Sequence, residues 1–95
     1  MNKSLGNIHP KIEGVYKNLP DTSNISAEEF QQILGINKDK FKRLYLQGLI
    51  PKCTYNAVLL NKYNTKKNFW NMKIVRQYVK DFEKYVSGEI QPHGE

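Results

Sequence analysis

Residues 25–51 read Ile25-Ser-Ala-Glu-Glu-Phe-Gln-Gln-Ile-Leu-Gly-Ile-Asn-Lys-Asp-Lys-Phe-Lys-Arg-Leu-Tyr-Leu-Gln-Gly-Leu-Ile-Pro51. The spacing predicts two short helices joined by a tight turn. Ser26 can cap the first helix, and Glu29, three residues on, completes a capping box. Phe30, Ile33 and Leu34 recur on one face. Gly35 suits the helix stop, because a left-handed conformation costs glycine nothing. Ile36 plugs the turn and Asn37 caps the second helix. That helix should bury Phe41, Leu44 and Tyr45 and end at Gly48, leaving Lys38, Lys40, Lys42 and Arg43 on its exposed side. A helix pair whose second member presents cations has the outline of a helix-turn-helix.

Downstream, Leu49 and Ile50 can fold back beneath the pair, and Pro51 blocks any helical continuation. From Cys53 the period changes. Thr54 to Leu60 is β-branched, aromatic and apolar, as a strand would be. Asn61 to Asn68, with Lys62, Lys66 and Lys67, reads as a cationic loop, and Phe69-Trp70 as a short return strand. Asn71 can cap a closing helix whose stripe is Met72, Val75, Val79, Phe82 and Val86, flanked by Tyr78 and Tyr85. Lys73, Arg76 and Lys80 fall on its other side and extend the basic surface. Ser87-Gly88 ends it.

Upstream, residues 1–9 are polar and look loose. Pro10 can open a short helix with Ile12, Val15, Tyr16 and Leu19 as one apolar stripe. Leu19 to Asn24 is rich in breakers. The expected divisions are therefore an N-terminal arm with a short helix over 1–24, one domain over 25–87, and a flexible tail over 88–95.

Charge points to the partner. The formal net charge of the 95 residues is +6, which favours a polyanion. Eleven Lys or Arg and a single acid, Asp39, lie between Asn37 and Lys80. The positive charge is thus concentrated on the second helix and the residues C-terminal to it. One cysteine, Cys53, excludes an internal disulfide and fits a reducing cytoplasm. No window approaches the eighteen or so apolar residues of a membrane span, so a soluble cytoplasmic protein with no membrane partner is expected. His9 and His93 stand far from any ligand set, and no glycine-rich phosphate loop or nucleophile–base pair occurs. Neither metal, cofactor nor enzymatic activity is expected.

Five segments carry a family resemblance: Ile25-Ser-Ala-Glu-Glu29, Leu34-Gly-Ile-Asn37, Phe41-Lys-Arg-Leu44, Gly48-Leu-Ile-Pro51, and Trp70-Asn-Met-Lys73 running into Val79. Over roughly two thirds of the chain they resemble the excisionase and MerR-type group, which includes small AlpA-like regulators. The resemblance implies a winged helix-turn-helix: mainly α, three to four helices with a small two-stranded β-hairpin as the wing. It also implies duplex-DNA binding as an excisionase-like factor or transcriptional regulator of a mobile element.

In such a domain the second helix enters the major groove. The candidate DNA contacts are Lys38, Lys40, Lys42 and Arg43 on that helix, Lys62, Lys66 and Lys67 on the wing, and Lys73 and Arg76 on the closing helix. Arg43 suits a guanine edge, a phosphate clamp, or an ion pair with Glu29. Single-stranded nucleic acid is a second possible partner: Tyr55, Phe69 and Trp70 have faces to stack on bases, although their strand-end positions favour core packing. The alternative function is a non-catalytic accessory subunit of a mobile-element polymerase, primase or helicase. Its candidate protein interface is the stripe Ile12, Val15, Tyr16 and Leu19; an integrase is the partner an excisionase would take.

Overall fold

The computed structural model describes residues 5–58 and 66–89. Its elements in chain order are a 3-10 helix (Gly14–Asn18), β1 (Asn24–Ser26), α1 (Ala27–Leu34), α2 (Lys38–Leu46), β2 (Tyr55–Val58), β3 (Lys66–Asn71), α3 (Met72–Lys80) and α4 (Phe82–Ser87). The strands form one antiparallel sheet of order β1-β3-β2. A helix-turn-helix followed by a β-hairpin and a closing helix makes this a winged helix-turn-helix.

The helix pair forms for local reasons. Ser26 Oγ accepts from the Glu29 amide at 3.3 Å while Glu29 Oε1 accepts from the Ser26 amide at 2.9 Å. Two backbone donors at the start of α1 are thereby satisfied. Gly35 terminates α1 at φ 68°, where a Cβ would be strained. Asn37 Oδ1 then accepts from the Lys40 amide at 2.8 Å and starts α2.

Trp70 is the hub of the core. It is 1% exposed, and Phe30, Phe41 and Tyr45 meet it edge-on with centroids 5.4, 5.6 and 6.1 Å away. Its Nε1 donates to the Pro51 carbonyl at 2.7 Å, so the one polar atom of the indole is satisfied inside. This contact draws the Leu49-Ile50-Pro51 segment beneath the helix pair, and all three residues are buried there.

Four features differ from the expectations set by the sequence. The hairpin gains a third strand: β1 pairs with β3, placing Ile25 opposite Trp70. Three residues are too few for alternation to show, and only the pairing partner makes them a strand. Lys66 and Lys67 belong to β3 and not to a loop; Lys62 lies outside the described residues. The closing helix breaks at Asp81 into α3 and α4, and Tyr78 and Tyr85 are core residues while Val79 and Val86 are half-buried. Finally, residues 10–19 form no α-helix. Leu5 and Ile8 are buried in the core, and of the supposed stripe Ile12, Tyr16 and Leu19 pack against it while Val15 is 73% exposed at the 3-10 turn. Gly14, at φ 66°, interrupts helical geometry where the stripe required it.

Tyr78 ties α3 to the core, its hydroxyl donating to the Leu49 carbonyl at 2.7 Å. Burial first, and the neighbouring Tyr85 second, push its pKa well above the ordinary 10.0. The folded chain therefore holds this proton more tightly than the unfolded chain does. The stabilisation is complete below pH 10 and is lost as pH rises above it. Melting temperature should stay flat to about pH 9 and fall from about pH 10 upward. Tyr78→Phe should be less stable at neutral pH by about 1 kcal/mol and should show a shallower alkaline fall. An alkaline profile identical to wild type would remove Tyr78 as its cause.

Among the described residues no helix is long and apolar enough to cross a membrane.

Candidate nucleic-acid interface

The α2 face is set by helical periodicity. Phe41 and Leu44 point into the core and Tyr45 is half-buried, which turns Lys38, Asp39, Lys42, Arg43 and Leu46 outward. Asp39, Lys42, Arg43 and Leu46 fall at i, i+3, i+4 and i+7 and form one ridge. Lys40 is half-buried. Among the described residues Lys38, Lys42 and Arg43 make no ion pair; in particular, Arg43 does not reach Glu29. Lys38 sits in the first turn of α2, where a cation opposes the helix dipole by roughly 0.3–1 kcal/mol. A phosphate near this end would reverse that sign.

The wing's two lysines have different destinations, and strand register decides which. Side chains alternate across the sheet. Trp70, on the core side, therefore shares its face with Asn68 and Lys66, and across the ladder with Asn56 and Val58. Lys66 thus lies on the side of the sheet that carries α2. Lys67 lies on the other side and reaches Glu28 at 4.0 Å, a solvent-exposed pair worth little to stability. On that outer side Tyr55 and Phe69 stack on one another, centroids 5.0 Å apart and planes 14° from parallel. Trp70 packs in the core, as its strand-end position favours, and is not available to stack on a base.

Arg76 is committed elsewhere. Its guanidinium pairs with Asp21 at 2.6 Å, donates to the Leu19 carbonyl, and lies 3.4 Å from the Tyr16 carbonyl. The amides of Met72 and Lys73 also bond back to Ser23 and Asp21. Arg76 is therefore the clasp that fastens the N-terminal segment to α3, which corrects its assignment to a continuous basic surface. Lys73 and Lys80 remain exposed beside it, in a shallow groove shared with Asp21. Arg76→Ala should destabilise the protein by about 1–2 kcal/mol and leave duplex affinity within about twofold. Denaturant melts and fluorescence anisotropy check the two halves. A loss of affinity as large as that from the α2 cations would return Arg76 to the interface.

The N-terminal stripe also changes character. Ile12, Tyr16 and Leu19 are half-buried against the core, and the Tyr16 hydroxyl donates to Gln32 Oε1 at 2.9 Å. Partial burial first, and Glu29 second, raise the pKa of this tyrosine. Only Val15 of the four stands free of the core. The fold also brings into view two exposed residues that the sequence left unassigned: Lys52, between α2 and the wing, and Leu46 on the α2 ridge. The position of Leu46, three residues after Arg43 and four after Lys42, is the signal that could have found the latter. Among the described residues no group of three or more His, Cys, Asp or Glu side chains gathers to hold a metal.

Compared with family models, curated proteins and solved structures, the chain matches none of them. Fold and charge together define its class: a winged helix-turn-helix whose second helix exposes Lys38, Lys42 and Arg43, unpaired among the described residues.

Proposed function

We propose that this is a non-catalytic duplex-DNA-binding protein of the cytoplasm, acting as an excisionase-like factor or transcriptional regulator of a mobile element. One observation carries the DNA reading. Lys38, Lys42 and Arg43 stand exposed, without ion-pair partners among the described residues, on a helix whose opposite side is anchored to Trp70. A rigidly held helix with unpaired cations suits insertion into a major groove. Lys66, on the α2 side of the wing, would meet the adjacent backbone. The mobile-element role rests on the resemblance of the Leu34–Asn37 turn and the Gly48–Pro51 ending to the excisionase and MerR-type group. A single module neutralises few phosphates, so useful affinity would come from tandem or cooperative binding.

Duplex affinity should fall steeply with salt, log K losing about 0.9 per phosphate contact for each tenfold rise in salt. Four contacts, one for each of Lys38, Lys42, Arg43 and Lys66, would give a slope near −3.6, or roughly −4. Anisotropy titrations of a labelled duplex across a salt series measure it. Affinity that is absent at low salt, or indifferent to salt, rejects the proposal.

A further inference from the structure

The α2 ridge carries one side chain that the core does not use and a phosphate would not attract. Leu46 is 75% exposed, the highest value among the exposed large apolar residues. Single exposed apolar side chains are common on protein surfaces; the position of this one sets it apart. It lies one turn beyond Lys42 and Arg43 on the same ridge, and a helical side chain leans toward the N-terminus, over the turn that holds those two cations. A second exposed apolar residue, Val58 at 53%, lies opposite Lys66 on the sheet face turned toward α2. Apolar groups therefore accompany cations at both places proposed to meet the duplex.

We infer that Leu46 is a specificity-determining residue that packs on the C5-methyl group of thymine in the major groove. The inference rests on the duplex-binding reading above and names what that same face distinguishes. Thymine alone offers an apolar group at a major-groove edge; the other edges are hydrogen-bond donors and acceptors, which a leucine cannot satisfy. Lys42 and Arg43 hold the phosphates or a guanine edge while Leu46 meets the methyl, so cation and apolar contact act on neighbouring positions of one site. Asp39, at the far end of the ridge, could accept from a cytosine amino group, whereas a phosphate or thymine O4 would repel its carboxylate. The methyl contact therefore belongs to the Leu46 end.

The test uses the full chain and two probes: an alternating A–T duplex, and the same duplex with uracil in place of every thymine. In the alternating sequence every register presents a thymine methyl, so no binding site need be known. Wild type should bind the thymine duplex about fourfold more tightly than the uracil duplex, the value expected for burying one methyl group. In Leu46→Ala the ratio of the two affinities should fall to about one. Because Leu46 is exposed, the variant should melt with wild type. Equal affinities in wild type, or a preference that survives in Leu46→Ala, overturn the inference and leave duplex binding standing. Failure of wild type to bind either duplex overturns the inference, and failure on a mixed-sequence duplex as well overturns duplex binding itself.

Discussion

Replacing Lys42 and Arg43 together by alanine should weaken duplex binding by roughly a hundredfold, on about 1–3 kcal/mol for each lost contact. The physical reason is their geometry. Both project from the middle of α2, which Phe41 and Leu44 hold against the core, and neither has an ion-pair partner among the described residues to give up. Their charge is therefore available to a phosphate or a base edge without first breaking a bond within the protein. The slope of log K against log salt should become shallower by about 1.8 if both meet phosphates, and by about half that if Arg43 meets a guanine. Both side chains are exposed, so the melting temperature should hardly change.

A charge-matched control separates contact from bulk attraction. Lys17→Ala with Lys84→Ala removes the same two charges from the 3-10 helix and α4, away from the ridge. It should cost affinity only a few-fold, through the general field. Equal losses in the two double variants would mean that net charge, and not α2, binds the DNA. An unchanged affinity after loss of Lys42 and Arg43 would exclude α2 as the reader.

The second large effect is on stability. Trp70→Ala should cost about 3–5 kcal/mol, the usual range for truncating a fully buried tryptophan. It removes the ring on which Phe30, Phe41 and Tyr45 pack, and it leaves the buried Pro51 carbonyl without its donor. Stability of a domain this size is only about 5–15 kcal/mol, so the melting temperature should fall by roughly 15–30 °C. Trp70→Phe should retain most of the packing and lose the indole hydrogen bond, with a cost nearer 1–3 kcal/mol. Circular-dichroism melts of both variants measure the difference. A fall of only a few degrees for Trp70→Ala would show that the sheet and helix pair are held independently of this residue.

The ring also links the two predictions. Trp70 is where β3 meets α2, its ring packing edge-on against Phe41 and Tyr45 on the buried side of that helix. A conservative change there should shift duplex affinity as well as stability, whereas Arg76→Ala, acting where α3 meets the N-terminal segment, should shift stability alone. Stability and binding thus separate along the fold: Arg76 and Tyr78 hold it together, and Lys42 and Arg43 do the proposed work.

What the sequence determined by itself is the set of features whose causes are local. The capping box of Ser26 and Glu29, the left-handed stop at Gly35 and the caps at Asn37 and Asn71 each need only three or four consecutive residues, and all occur as read. The buried faces of α1 and α2 come from periodicity, and with them the exposed positions of Lys38, Lys42 and Arg43.

Tertiary structure decided everything whose cause is a distant partner. Asn24–Ser26 becomes a strand only because β3 lies beside it. Arg76 leaves the basic surface because Asp21 and the Leu19 carbonyl, more than fifty positions away, receive it. Leu5 and Ile8 enter the core although their own neighbourhood is polar, since burial is set by what packs above them. Lys66 and Lys67, adjacent and alike in the sequence, are sent to opposite faces by the pleat and the register of β3. Periodicity and capping act over a turn of chain, whereas pairing and packing depend on which segments meet in space.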